Sequence, residues 1–195
     1  MLLAAKIIWC MGVIAWFVIR YPHARRSRRT AKQRVAYRKL ELVLLSISTL
    51  GLGIIPAIYV FSGQPRFAGY PVQTWQVFAG ALIFLASLVL FRRTHSALGR
   101  NWSVTLEVRE NHALITDGIY KYVRHPMYSA FWLWAVAQAF LLPNWIAGFS
   151  GIVGFGTLYL IRVRHEEQMM LEAFGNAYAE YARRTGRIIP KLGQK

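Results

Sequence analysis

Acidic residues are scarce in this chain. Eight Asp and Glu stand against 24 Lys and Arg, a formal net charge of +16 in 195 residues. Charged residues of both signs make up only 16%, against 55% hydrophobic. A soluble domain usually carries about a quarter charged residues. Cysteine is nearly absent. Cys10 is alone and lies inside the first apolar run, which excludes an intrachain disulfide and suggests no thiolate metal site. No G-x-G-x-x-G fingerprint follows a strand pattern, and there is no phosphate loop ending in Gly-Lys-Ser/Thr. A Gly-x-Ser-x-Gly elbow and an H-E-x-x-H pair are missing too, which argues against serine hydrolysis and against a metal centre.

What is present is apolar length. Runs over residues 2–19, 42–61, 72–91, 126–142 and 145–161 predict five transmembrane helices. A helix over about 164–184 follows, on which Met169, Met170, Phe174, Tyr178 and Tyr181 share one face. The first run is read as a retained span, because it lacks a basic leader and a small-residue cleavage site. Pro56 is expected to kink the second span and free a carbonyl for a neighbour to satisfy. Gly148, Gly151, Gly154 and Gly156 suit close helix contact, and Pro143-Asn144 closes a helical hairpin.

The basic excess is not spread evenly. Nine Lys and Arg fall between Arg20 and Lys39 with no acid among them, between two apolar runs. That is the pattern of a short cytoplasmic loop, facing anionic lipid headgroups rather than nucleic acid. With that loop inside, the N-terminus lies outside and the C-terminus inside. Residues 92–125 and 162–195 then meet at the cytosolic face, carrying seven of the eight acids. Within the first of these, Val104–Val108 is expected to be extended and Asn111-His112 to form a turn.

Two constellations stand out there. Arg124-His125-Pro126 is flanked by Tyr120 and Tyr128, and the proline keeps His125 out of the helical region while itself opening the next helix. Arg162 and Glu166, four residues apart, can meet across one helical turn, with Glu167 adjacent. Ionisable groups at such depth are costly unless paired or used. Upstream, Leu114, Ile115 and Thr116 lead to Gly118, a glycine placed to adopt a conformation closed to other residues or to let backbone approach a ligand.

These residues resemble the isoprenylcysteine carboxyl methyltransferase family. The resemblance rests on Gly118-x-Tyr120-x-x-x-Arg124-His125-Pro126-x-Tyr128, then Arg162, Glu166-Glu167, Phe174-Gly175, Tyr178, Tyr181, Thr185-Gly186-Arg187 and Pro190, with Leu98-Gly99-x-Asn101-Trp102-Ser103 upstream. The short length and five-span layout look like its compact prokaryotic members, in an inner or plasma membrane. The resemblance implies one all-α membrane domain over 1–195, with a cytosolic pocket for S-adenosylmethionine formed by the C-terminal half. It implies cofactor binding by Leu114, Ile115, Thr116, Gly118, Tyr120, His125, Tyr128 and Tyr178. Arg162 and Glu167 would stand at the reacting centre, and Arg124 would position charge nearby. The implied reaction esterifies the carboxylate of a lipidic, isoprenylcysteine-like substrate. Another lipid acceptor, such as a phospholipid amine, is the alternative, and a non-enzymatic lipid-binding or scaffold role a further one. Oligomeric state is not encoded in any pattern found.

Overall fold

A computed structural model describes residues 1–27, 38–98 and 114–191. Every named element among them is helical: α1 (Leu2–Ser27), α2 (Arg38–Thr49), α3 (Ile55–Ser62), α4 (Thr74–Leu98), α5 (Pro126–Leu141), α6 (Trp145–Phe174) and α7 (Asn176–Arg184). A π-helical turn, Leu50–Ile54, joins α2 to α3 into one span. The expected strand at Val104–Val108, the turn at Asn111-His112, and Asn101-Trp102-Ser103 lie outside the described residues.

Four segments are long and apolar enough to cross a membrane: Leu2–Arg25, Lys39–Ser62, Thr74–Leu98 and Trp145–Phe174. The chain is an integral membrane protein. The expected fifth span, α5, is 16 residues, about 24 Å of rise against a hydrocarbon core of about 30 Å. It is sandwiched between α4 and α6, its two main packing partners. Its far end nonetheless reaches the α3–α4 loop, where Tyr70 N donates to Pro143 O at 3.1 Å.

Three helices run further than their apolar stretches. α1 continues to Ser27, α4 passes through Arg92-Arg93 to Leu98, and α6 passes through Arg162 and Arg164 to Phe174. The separate helix expected over 164–184 is therefore the end of α6 plus α7. Terminal charges do not stop a helix, because their stems snorkel or find partners. The break comes at Gly175, whose φ of +53° suits glycine.

The freed carbonyl expected from Pro56 is found, with neighbours that satisfy it. Within the π-turn the Ile55 N–H reaches back to Leu50 O. One residue on, Pro56 has no N–H to offer Gly51. Gly51 O instead accepts from Ser150 Oγ at 2.7 Å and Gln138 Nε2 at 3.1 Å. Asn144 caps α6 by accepting from Ile146 N and Ala147 N, while its Nδ2 donates to Pro65 O. Lys6 closes the other end of the span, donating to Tyr59 O and Val60 O in the last turn of α3.

The α2–α6 seam is close. A Cβ on Gly154 would stand 2.7 Å from Ile47 O, and one on Gly51 would strike Ser150 O. Gly154→Val is expected to lower stability by about 1–3 kcal/mol through overpacking, read as an earlier thermal melt in detergent. Gly53→Ala, where a Cβ meets nothing within 4 Å, should melt with the wild type.

Candidate active site

His125 breaks the helical pattern as its proline demands, with φ −126° and ψ 61°, and Pro126 opens α5. The turn is held by the segment after α7. Val123 and Gly186 form a parallel bridge, Arg124 N donates to Gly186 O at 2.8 Å, and His125 N donates to Arg187 O at 2.9 Å. Ser129 Oγ adds a bond to Ile188 O. A side chain at 186 would collide with the Ile189 carbonyl, so glycine is required where the strap crosses the turn.

Beneath the strap, Glu167 is the anchor. Arg124 donates to its Oε1 from Nε at 3.1 Å and from NH2 at 2.7 Å. Arg187 engages both carboxylate oxygens, and His125 Nε2 lies 3.4 Å from Oε1. Arg124 NH1 also donates to Ala182 O and Thr185 O, which satisfies free carbonyls at the end of α7. The Glu167 hydrogen bonds raise the Arg187 guanidinium above its ordinary pKa.

Over this frame sits a cavity of about 430 Å³. Along α6 it touches Phe155, Leu158, Arg162, Glu166, Met169 and Met170. From Phe155 to Met169 these are spaced at three or four residues and so, with Met170 beside Met169, form one stripe, about 22 Å long at 1.5 Å per residue. Arg162 stands where the stripe changes character. On the Phe155 side the walls are mostly apolar, including Leu52, Gly53 and Trp134, with Ser48 and Thr49 as polar exceptions. On the Met169 side they hold Tyr120, Arg124, His125, Tyr178 and Tyr181. Tyr181 OH donates to Tyr120 O at 2.7 Å. Burial pushes its phenol up to about 12, so it stays a donor at neutral pH. Burial also raises the Tyr120 and Tyr178 phenols.

Of the sequence-derived site residues, Leu114, Ile115, Tyr120, Arg124, His125, Tyr128, Arg162 and Tyr178 line this cavity. Thr116, Gly118 and Glu167 are not in its wall. Gly118 does take the left-handed conformation expected of it, φ +61°, at the start of the short 3-10 turn that carries Tyr120. Glu167 faces the strap, and its neighbour Glu166 takes the cavity wall, accepting from Tyr128 OH.

Two groups went unnoticed in the sequence. Glu41 of α2 is buried, and its Oε1 lies 3.3 Å from Arg162 NH2. It is the only acid before residue 107, which is the signal that singles it out. The N-terminal half also contributes walls, among them Trp16 and Arg20 of α1 and His95 of α4. The pocket is thus not the work of the C-terminal half alone. α1 and α2 line it without packing closely on one another: α1 rests on α4 and α5, α2 on α6.

Helices sized for a bilayer and a cavity with apolar and polar walls beside an Arg-His-Pro turn define an integral membrane protein with an internal pocket. Residues 79–172 match the model of the Isoprenylcysteine carboxyl methyltransferase (ICMT) family. Its curated relatives include protein-S-isoprenylcysteine O-methyltransferase B of Arabidopsis thaliana, 29% identical over 126 residues, which are 64% of each chain. The Dictyostelium discoideum protein-S-isoprenylcysteine O-methyltransferase is 30% identical over 58% of this chain and 48% of its own length. The Homo sapiens protein of that name is 29% identical over 60% and 42%. The chain therefore spans less than two thirds of the length of these relatives.

Proposed function

We propose that this protein is an S-adenosylmethionine-dependent methyltransferase that esterifies the C-terminal carboxylate of an isoprenylated cysteine. The observation that carries this reading is the cavity along α6, whose walls are mostly apolar before Arg162 and carry Tyr120, Arg124, His125, Glu166, Tyr178 and Tyr181 after it. An isoprenyl tail matches the first part, a carboxylate matches Arg162, and an amino-acid nucleoside matches the second. The names of the relatives, each a protein-S-isoprenylcysteine O-methyltransferase, favour a prenylated protein or peptide as the acceptor.

The donor set suits the cofactor. Tyr120, Tyr178, Leu114 and Ile115 offer aromatic and apolar walls for adenosine. Glu166 offers an acceptor for its ammonium, and Arg124 and His125 offer donors for its carboxylate. When bound, it supplies a methyl on a positively charged sulfur: a carboxylate lone pair makes the new C–O bond, the C–S pair stays with sulfur, and no proton moves.

The chain's own task is placement. A carboxylate with a pKa near 4 is already ionised at neutral pH, so no general base is required. Arg162 can hold it in the fork geometry of a guanidinium. The buried walls around Tyr128 and Phe155 exclude water, which favours alignment and protects the nucleophile from a hydration shell. The hold must stay moderate, because the carboxylate loses negative charge as the bond forms. In the membrane, we place the α5–α6 hairpin as two crossings. This gives five in all, with the N-terminus outside and the cavity mouth at the cytosolic face, where the basic 20–39 segment meets anionic lipid.

Purified protein in detergent is expected to bind S-adenosylmethionine by calorimetry. It should also transfer labelled methyl to a farnesylated cysteine analogue as a base-labile product. Base-stable label would move the reading to an amine acceptor. Folded protein that binds no cofactor would end the methyltransferase reading.

A further inference from the structure

A buried guanidinium needs a counter-charge in every state of a reaction cycle. If Arg162 holds the substrate carboxylate, as proposed above, it loses that partner the moment the ester forms. Glu41 is in position to take over. It is 3% exposed and comes from a different helix, one turn before the cavity residue Leu45 on the same face of α2. Its carboxylate lies 3.3 Å from Arg162. Glu166 stands four residues along α6 from Arg162, in the same cavity wall, so a substrate carboxylate would arrive beside two resident acids. Their repulsion weakens its ground-state hold, which is what a nucleophile about to lose charge requires.

We propose that Glu41 is the resident counter-ion of Arg162, keeping the guanidinium paired when the cavity is empty or holds ester, and competing with the substrate carboxylate for it. Glu41 is then a positioning residue. α2, through it, sets how strongly the site prefers acid over ester. The idea rests on the esterification reading.

The test compares N-acetyl-S-farnesylcysteine with its methyl ester, on the full chain in detergent. In Glu41→Gln the acid should bind about tenfold more tightly, and both its KM and its kcat should fall together. Ester affinity should stay unchanged. Glu41→Asp, with the charge kept and the reach shortened by one methylene, should move the acid-to-ester ratio in the same direction by less, and it serves where the Gln variant does not fold. A purely structural role would weaken both ligands, or neither, and leave their ratio unmoved. An unmoved ratio in the folded variants, with the wild type binding acid, overturns the role of Glu41 alone. A wild type that binds neither ligand overturns this role together with the esterification reading.

Discussion

Arg162→Ala is expected to abolish methyl transfer, lowering kcat/KM by on the order of a hundredfold or more. Arg162 is the one cation on the cavity stripe of α6, between Leu158 and Glu166. Without it the carboxylate end of a prenylated substrate has nothing to fix its direction, and a small misplacement suffices for a loss of that size. The alanine variant also leaves Glu41 facing an empty space, so Arg162→Lys is the cleaner companion. Lysine keeps the charge and loses the planar fork. It should fold, bind S-adenosylmethionine as the wild type does, and still turn over poorly. Initial rates with a farnesylated cysteine analogue, beside calorimetry for the cofactor, separate the two effects. Near-normal turnover in both variants would take Arg162 out of the reacting centre.

Glu167→Ala should fail for a different reason. Its carboxylate joins Arg124, His125 and Arg187, and so ties the Arg-His-Pro turn to the strap after α7. Removing one member of a fully buried, hydrogen-bonded ion pair costs about 3–5 kcal/mol; with Arg124 and Glu167 side chains 10% and 15% exposed, a loss at the lower end of that range is expected. The expected result is an earlier thermal melt, with faster amide exchange over residues 122–129 and 185–188 and reduced cofactor binding. Arg187→Ala is the contrast. Its side chain is 48% exposed, and solvent screening limits such a pair to about 1 kcal/mol or less. A Glu167→Ala protein that melts with the wild type would show that the anchor carries no weight.

The sequence spoke clearly where physics is local. Four of the expected spans are apolar helices of bilayer length, His125 and Pro126 took the conformations that a pre-proline residue and a first-turn proline must, and Pro143-Asn144 closed the hairpin. It spoke less clearly where partners are distant. Arg162 and Arg164 looked like the end of a span, yet α6 continues, because the buried charge is matched by Glu41 from 121 residues earlier. Spacing suggested Glu166 for Arg162, and the family resemblance implied Glu167 for the chemistry. The structure puts Glu166 in the cavity wall and Glu167 behind it, a difference of about 100° around one helix that adjacent identical residues cannot reveal. The contribution of α1, α2 and α4 to the cavity was hidden likewise, since aromatic and apolar residues facing a cavity read the same as those facing lipid.

The π-turn at Leu50–Ile54 bears on how the molecule is made. Its bare Gly51 carbonyl has no donor within its own helix, and inside a bilayer no water to replace one. The groups that satisfy it, Gln138 and Ser150, are synthesised 87 and 99 residues later. The second span therefore enters the membrane with a debt in hydrogen bonding that only the α5–α6 hairpin discharges. Full satisfaction of the second span is therefore expected only once the α5–α6 hairpin has packed against it.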